Sequence, residues 1–164
     1  MNPTPSSPTP VNAESSAVQS YLNLLQGVIT RMAGNSSNCK SLCITLVSAI
    51  AVFIADKGQP HYIVITIIPI LLFSLLDAYY LGLEQGFRET YNDFVNRLHH
   101  NKAYSTDLFR ILPQGRDKDK GLTRFDPVVA TRKAYKSFSV YPFYLVLFVV
   151  LGVGWYFILA SQPK

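Results

Sequence analysis

Apolar residues along this chain fall into a few long blocks and are not spread at the period of a single soluble core. The most informative block is "ILLFSLLDAYYLGLEQGFRETYNDFVNRLHH", residues 70–100. It begins as membrane-grade sequence, then acquires Asp77, Glu84, Arg88, Glu89, Asp93 and Arg97, with no proline before Pro113. One helix is predicted to run from lipid into water without stopping. Upstream, "SLCITLVSAIAVFIA" at 41–55 predicts a first span. It is short against the ~20 residues a bilayer needs, with Lys40 snorkelling to the interface. "DKGQP" at 56–60 predicts a tight turn through Gly58, with Pro60 opening the next helix. Residues 61–83 are the second span, and Pro69 is predicted to kink it. Residues 142–160, with Tyr141 and Tyr144 at one end and Trp155-Tyr156 near the other, are the third.

The remaining stretches are polar. Residues 1–13, rich in Pro, Ser and Thr, read as a disordered tail without a secretory signal. Residues 14–33 predict an amphipathic helix with a stripe of Val18, Leu22, Leu25, Ile29 and Met32. Gln19, Asn23, Gln26 and Thr30 face away from it. Basic residues are almost absent there, so packing on protein is expected in place of anionic lipid. Asn35–Asn38 predicts a bend or a helix start. Beyond residue 100 the chain is turn-rich, with a short helical turn expected at 107–112. Asp126-Pro127 marks a helix start, and that helix is expected to lead into the third span.

Composition agrees with a membrane protein. Of 164 residues, 49% are hydrophobic and only 15% charged, against about a quarter in soluble domains. The net charge of +5 raises nucleic acid as a partner. The basic residues lie beside the apolar blocks, however, so lipid headgroups come first and no nucleic acid is expected. Eleven Lys and Arg fall between 84 and 139, whereas Lys57 and Lys164 are the only ones on the opposite side. The positive-inside rule then places the N-terminus and 84–139 in the cytoplasm and the C-terminus outward.

At helical spacing Asp77, Tyr80, Glu84, Arg88 and Tyr91 share one face, and Glu84–Arg88 is a favoured i,i+4 pair. A carboxylate facing lipid costs on the order of 2.5–3.5 kcal/mol. Asp77 therefore snorkels, bonds a neighbouring helix or subunit, or handles ions. This set is the candidate for oligomer or interhelical polar contact. Arg132, Lys133 and Lys136 form a basic juxtamembrane patch for lipid or a partner. Cys39 and Cys43 share a helical face and read as buried thiols, with acylation as the alternative. His99-His100 read as helix-end groups on terminal carbonyls, and His61 belongs to the other side. Gly152 and Gly154 are two apart and leave room for a close helix. No catalytic set, metal site or cofactor cradle is present in the sequence, so an enzyme is not expected.

The run Leu-Asp-Ala-Tyr-Tyr at 76–80, with Glu84, Phe87-Arg88 and Tyr91, resembles the segment after the second span of RipA-like small bacterial membrane proteins. It is also similar to the SLATT group of membrane effectors, whose pattern lacks the third span. The resemblance covers about twenty residues and the order of the elements. It implies a ring-like homo-oligomer in the bacterial inner membrane without enzymatic chemistry.

The expectation is an all-α integral membrane protein: three transmembrane helices with a cytoplasmic helical layer. Its parts are a tail (1–13), an amphipathic helix (14–38), a transmembrane hairpin (39–83), a cytoplasmic segment (84–140) and a third span with an outer tail (141–164). Two stripes and too little chain to cover them predict a homo-oligomer, ring or pore-like, acting in defence or stress. The alternative is a membrane adaptor or sensor whose basic layer binds an unknown cytoplasmic protein or a signalling nucleotide.

Overall fold

A computed structural model describes residues 9–57, 60–117 and 121–160. The turn residues Gly58 and Gln59, the basic Lys118 and Lys120, the first eight residues and residues 161–164, expected as an outer tail, lie outside the described residues, as does the side chain of His61. The chain is mostly helical. In order it has α1 (Ser16–Lys57), a 3-10 segment (Pro60–Thr66), α2 (Ile67–His99), a 3-10 turn (Ser105–Asp107), β1 (Gln114–Asp117), β2 (Gly121–Arg124), α3 (Pro127–Tyr135) and α4 (Tyr141–Ala160). Two helices, α1 and α2, are long and apolar enough to cross a membrane, and α4 is apolar but shorter.

The chain divides into two units. One comprises Met1–Arg31 and Leu83–Asp126, the other Met32–Gly82 and Pro127–Lys164. We call them the polar unit and the apolar unit.

In the polar unit, the Ser15 hydroxyl accepts the Val18 N–H at 3.3 Å and so caps α1. The buried face of α1 is Val18, Tyr21, Leu25 and Val28, with Leu22, Ile29 and Met32 only part-buried. The stripe is thus rotated from the expected one, because Tyr21 turns inward. Its ring meets Phe94 of α2 edge-on at 4.9 Å, and its hydroxyl donates to the Arg110 carbonyl at 2.8 Å. Ala103, Leu98 and Leu108 complete this core. Asn101, at φ 56, ends α2: the Lys102 N–H reaches the Arg97 carbonyl at 2.8 Å and the Asn101 N–H reaches that of Leu98 at 3.1 Å.

Three expectations change here. Residues 9–13 are not free tail. The Val11 N–H bonds the Ala103 carbonyl at 3.1 Å, the Ser105 N–H bonds that of Thr9 at 2.9 Å, and Val11 packs on the core. The turn expected at 107–112 falls at 105–107, where the Asp107 carboxylate accepts the Tyr104 N–H at 3.0 Å. Gln114–Asp117 and Gly121–Arg124, in a stretch expected to be turn-rich, pair as antiparallel strands, Gln114 with Arg124 and Asp117 with Gly121. The class is therefore mostly helical with one small sheet and not all-α. Gly121, at φ 72, supplies the left-handed backbone at the start of the second strand.

In the apolar unit, α1 passes through Asn35–Asn38 without the expected bend. Asn and Ser each cost only a few tenths of a kcal/mol in a helix, and Ser36 has a buried partner that offsets this. Pro69 does not kink α2. Residues 60–66 are 3-10, so α2 starts at Ile67 and Pro69 sits in its first turn, where a missing N–H breaks no helical bond. Ser74 and Thr66 return their hydroxyls to the Leu71 and Ile63 carbonyls at 2.9 and 2.6 Å, which satisfies them on apolar helices. Cys43 and Val47 of α1, Ile70 and Ala78 of α2, and Val140 and Tyr144 at the start of α4 form the core. α3 begins at Pro127, as Asp126-Pro127 predicts, but stops at Tyr135 and does not lead unbroken into α4. The Lys136 and Ser137 N–H groups close turns onto the carbonyls of Lys133 and Ala134 at 3.2 and 2.9 Å.

Candidate functional site

The chemically distinctive place in the apolar unit is the carboxylate of Asp77. α2 turns it inward on the face it shares with Ile70, Ser74 and Ala78, and its side chain is 0% exposed. Directly across lies α1, which presents Ser36 and Lys40 one turn apart. Lys40 Nζ stands 2.7 Å from Oδ2 and 2.8 Å from Oδ1 of Asp77. The Ser36 hydroxyl donates to Oδ1 and accepts from Lys40 Nζ at 3.3 Å. The carboxylate thus has an ammonium and a hydroxyl, both charge-assisted bonds. Cys39 and Cys43, both free thiols, line the same face of α1. Tyr144 of α4 is buried in the same cluster as Cys43 and Ala78, and its hydroxyl has no hydrogen-bond partner among the described residues.

Of the alternatives open for Asp77, the structure shows a bond to a neighbouring helix, with Lys40 of the same chain as the partner. Lys40, expected to snorkel, spends its charge inward. The sequence also missed Ser36, Tyr144 and Gly82. A Cβ on Gly82 would lie 3.1 Å from the Ala130 backbone carbon, so glycine is what lets α3 rest on α2.

The other residues of the stripe are not gathered around Asp77. Tyr80 meets Tyr79 edge-on at 5.7 Å. Glu84 pairs with Arg88 at 2.8 Å along their own helix, as expected of an i,i+4 pair. The Tyr91 hydroxyl accepts from the Gln26 amide at 3.2 Å. In the polar unit Val18, Tyr21 and Leu25 of α1 pack with Phe87, Tyr91 and Phe94 of α2. Arg132, Lys133 and Lys136 are exposed on and just after α3. His100 Nδ1 lies 2.8 Å from the Asn96 carbonyl, the helix-end contact expected of it.

The polar unit also holds a cleft that the sequence did not announce, of about 600 Å³, lined by Tyr21, Thr90, Arg97, Arg110, Arg124 and Phe125 among others. Arg97 sits in it between Asp93 and Asp107, at 2.9 and 3.0 Å. Burial tends to raise the Asp107 pKa. The Tyr104 N–H and the Arg97 guanidinium outweigh it and hold the carboxyl below its ordinary 3.8. Burial pushes the Tyr21 phenol up. Arg110 and Arg124 add positive charge to the wall. No group of His, Cys, Asp and Glu suited to a metal occurs among the described residues.

The comparisons with family models, with curated proteins and with solved structures give no match. What stands on its own is the class: a mostly helical chain with two helices apt to cross a membrane, one internal ion pair between them and a separate polar unit.

Proposed function

We propose that the chain is a multi-pass protein of the bacterial inner membrane that works without enzymatic chemistry as an adaptor or sensor. The apolar unit is the embedded part, with three spans formed by α1, α2 and α4, and the polar unit is the cytoplasmic binding part. One observation carries the membrane reading. Only 22% of the apolar window of α1 and 33% of that of α2 is buried within the chain. A soluble core helix would bury most of such a window. Here Val52, Ile68, Leu71, Leu75, Val146 and Val150 are all at least half exposed, a continuous need for an apolar solvent. With Asp77 and Lys40 neutralising each other, no described charge on these faces opposes lipid. The adaptor reading is favoured by the arginine-walled cleft, whose Arg110 and Arg124 suit an acidic peptide or a phosphorylated small molecule.

A second reading, the homo-oligomeric or pore-like membrane effector implied by the RipA-like resemblance, is favoured by α4. Nothing lies within 4 Å of a Cβ placed on Gly152 or Gly154, and Val149, Val150 and Val153 beside them are exposed, so a second copy has room to approach. Reconstitution of the full chain into dye-loaded liposomes, with mass photometry in mild detergent, separates the two. The adaptor reading expects no dye release and cytoplasmic-side labelling of Arg116→Cys in a Cys39→Ala/Cys43→Ala background. Dye release together with a defined ring mass would replace it with the pore reading, and labelling from the outer side would invert the topology.

A further inference from the structure

Where α3 rests on α2, the apolar unit forms a groove of about 650 Å³. Leu75, Leu76 and Tyr79 of α2 make one wall, and Val128 and Tyr135 of α3 contribute to the other. The lining is almost wholly carbon, and Arg132 and Lys136 contribute to it through their hydrocarbon stems. Arg132 in the last turn of α3 and Lys136 just past its end are both exposed. Gly82 lets α3 lie close on α2, because a Cβ there would meet the Ala130 backbone at 3.1 Å.

We propose that this groove holds one acyl chain of an anionic glycerophospholipid, with the lipid phosphate met by Arg132 and Lys136. The inference rests on the membrane reading above and adds a defined site and a ligand class to it. Three observations select this occupant. The wall continues the exposed apolar surface of α2, where Leu75 is 58% exposed, so a lipid tail already present in the bilayer meets it without crossing water. Two exposed basic residues belong to the lining, a match to a phosphate and a mismatch to a purely apolar protein helix. Tyr79 and Tyr135, each 40% exposed, also line the groove, and tyrosine is the residue type found where hydrocarbon gives way to headgroups.

The test uses the full chain in phosphatidylcholine bilayers carrying brominated phosphatidylglycerol or brominated phosphatidylcholine at equal mole fraction. A tryptophan reporter is placed in the groove as Tyr79→Trp, with Trp155→Phe to remove background, and Val128→Trp serves as a second reporter if the first misfolds. Quenching several-fold stronger by the brominated anionic lipid, lost in Arg132→Gln/Lys136→Gln, is the expected result. Equal quenching by both lipids would reduce the groove to ordinary lipid-facing surface and overturn the proposal. Quenching by neither would mean that protein fills it, and would overturn the proposal equally. Trp155 of the unaltered chain is the control for the underlying reading: if lipid bromine fails to quench it, the chain is not embedded at all. If Trp155 is quenched and position 79 is not, the groove proposal fails alone.

Discussion

The two units use charge in opposite ways. In the polar unit, ion pairs are shared out: Glu84 with Arg88, Glu89 with Arg116, and Arg97 with Asp93 and Asp107. Most of these reach water, and the core beneath them is a compact aromatic cluster around Tyr21 and Phe94. In the apolar unit one internal pair, Lys40–Asp77, is set among apolar side chains, and the outer surface is hydrocarbon. The same two helices contribute to both units, so the contrast lies in residue choice along α1 and α2 and not in the type of element. Where water is at hand, a broken pair is rehydrated and the loss is small. Where it is not, a broken pair strands a charge.

The largest effect should therefore come from Asp77→Ala. It leaves the Lys40 ammonium, whose side chain is only 20% exposed, with only Ser36 beside it. Breaking one partner of a buried pair costs about 3–5 kcal/mol, against about 1 kcal/mol or less for an exposed pair. A sharp fall in thermal midpoint in detergent is expected. Lys40→Met/Asp77→Leu, which removes both charges and keeps the volume, should recover most of the loss. If the double variant is as unstable as the single one, the pair holds the fold by something other than mutual neutralisation. The contrast between the units would then have to be redrawn.

Next comes the close approach of backbone and ring to helix, which both units use once. A Cβ on Gly82 would meet the Ala130 backbone at 3.1 Å, and one on Gly86 would meet the Phe125 ring at 2.8 Å and Pro113 Cβ at 2.9 Å. Overpacking of this kind costs about 1–3 kcal/mol. Gly82→Ala should damage the apolar unit through α3, because main chain has little freedom to give. Gly86→Ala should cost less than its shorter distance suggests, because the Phe125 ring can swing. Differential scanning fluorimetry of the two variants checks that order, and the reverse order would show that the segment 110–126 is clamped as firmly as α3.

How much of this was legible from residues alone follows the same division. The apolar blocks, the run of α2 from lipid-grade sequence into charge, the Glu84–Arg88 pair and the start of α3 at Pro127 all follow from local period and spacing. Lys40 as the partner of Asp77 does not, because it depends on how far each lies from the hairpin turn. There was a signal. Lys40 stands seventeen residues before Lys57, and Asp77 seventeen after Pro60, so a hairpin of two helices brings them level. The β1–β2 pair was hidden for another reason. Its sequence is polar and lacks β-branched residues apart from Thr123, and it is tied down by a tertiary contact, Arg116 to Glu89 at 3.1 Å. Tyr21 was overlooked because aliphatic residues on the neighbouring face made a tidier stripe. Its hydroxyl needed a carbonyl 89 residues away to make burial acceptable.

The smallest effect is a pH dependence confined to the polar unit. Asp107 is held below its ordinary 3.8, with burial outweighed by the Tyr104 N–H and the Arg97 guanidinium. A depressed carboxyl pKa gives stability that is full above the unfolded value and is lost as pH falls through the folded one. Between pH 8 and pH 5 the polar unit should therefore keep its midpoint, and it should soften only as the pH drops below about 4. Asp107→Asn removes the titrating group but leaves an oxygen to accept the Tyr104 N–H. It should flatten the acid limb, with a loss at neutral pH of about 1 kcal/mol, the scale of one partly exposed ion pair. Tryptophan is absent from the polar unit, so the readout is amide hydrogen exchange at residues 16–31 and 84–110 as a function of pH. Softening that begins already at pH 6 would show that a group other than Asp107 couples this unit to protons.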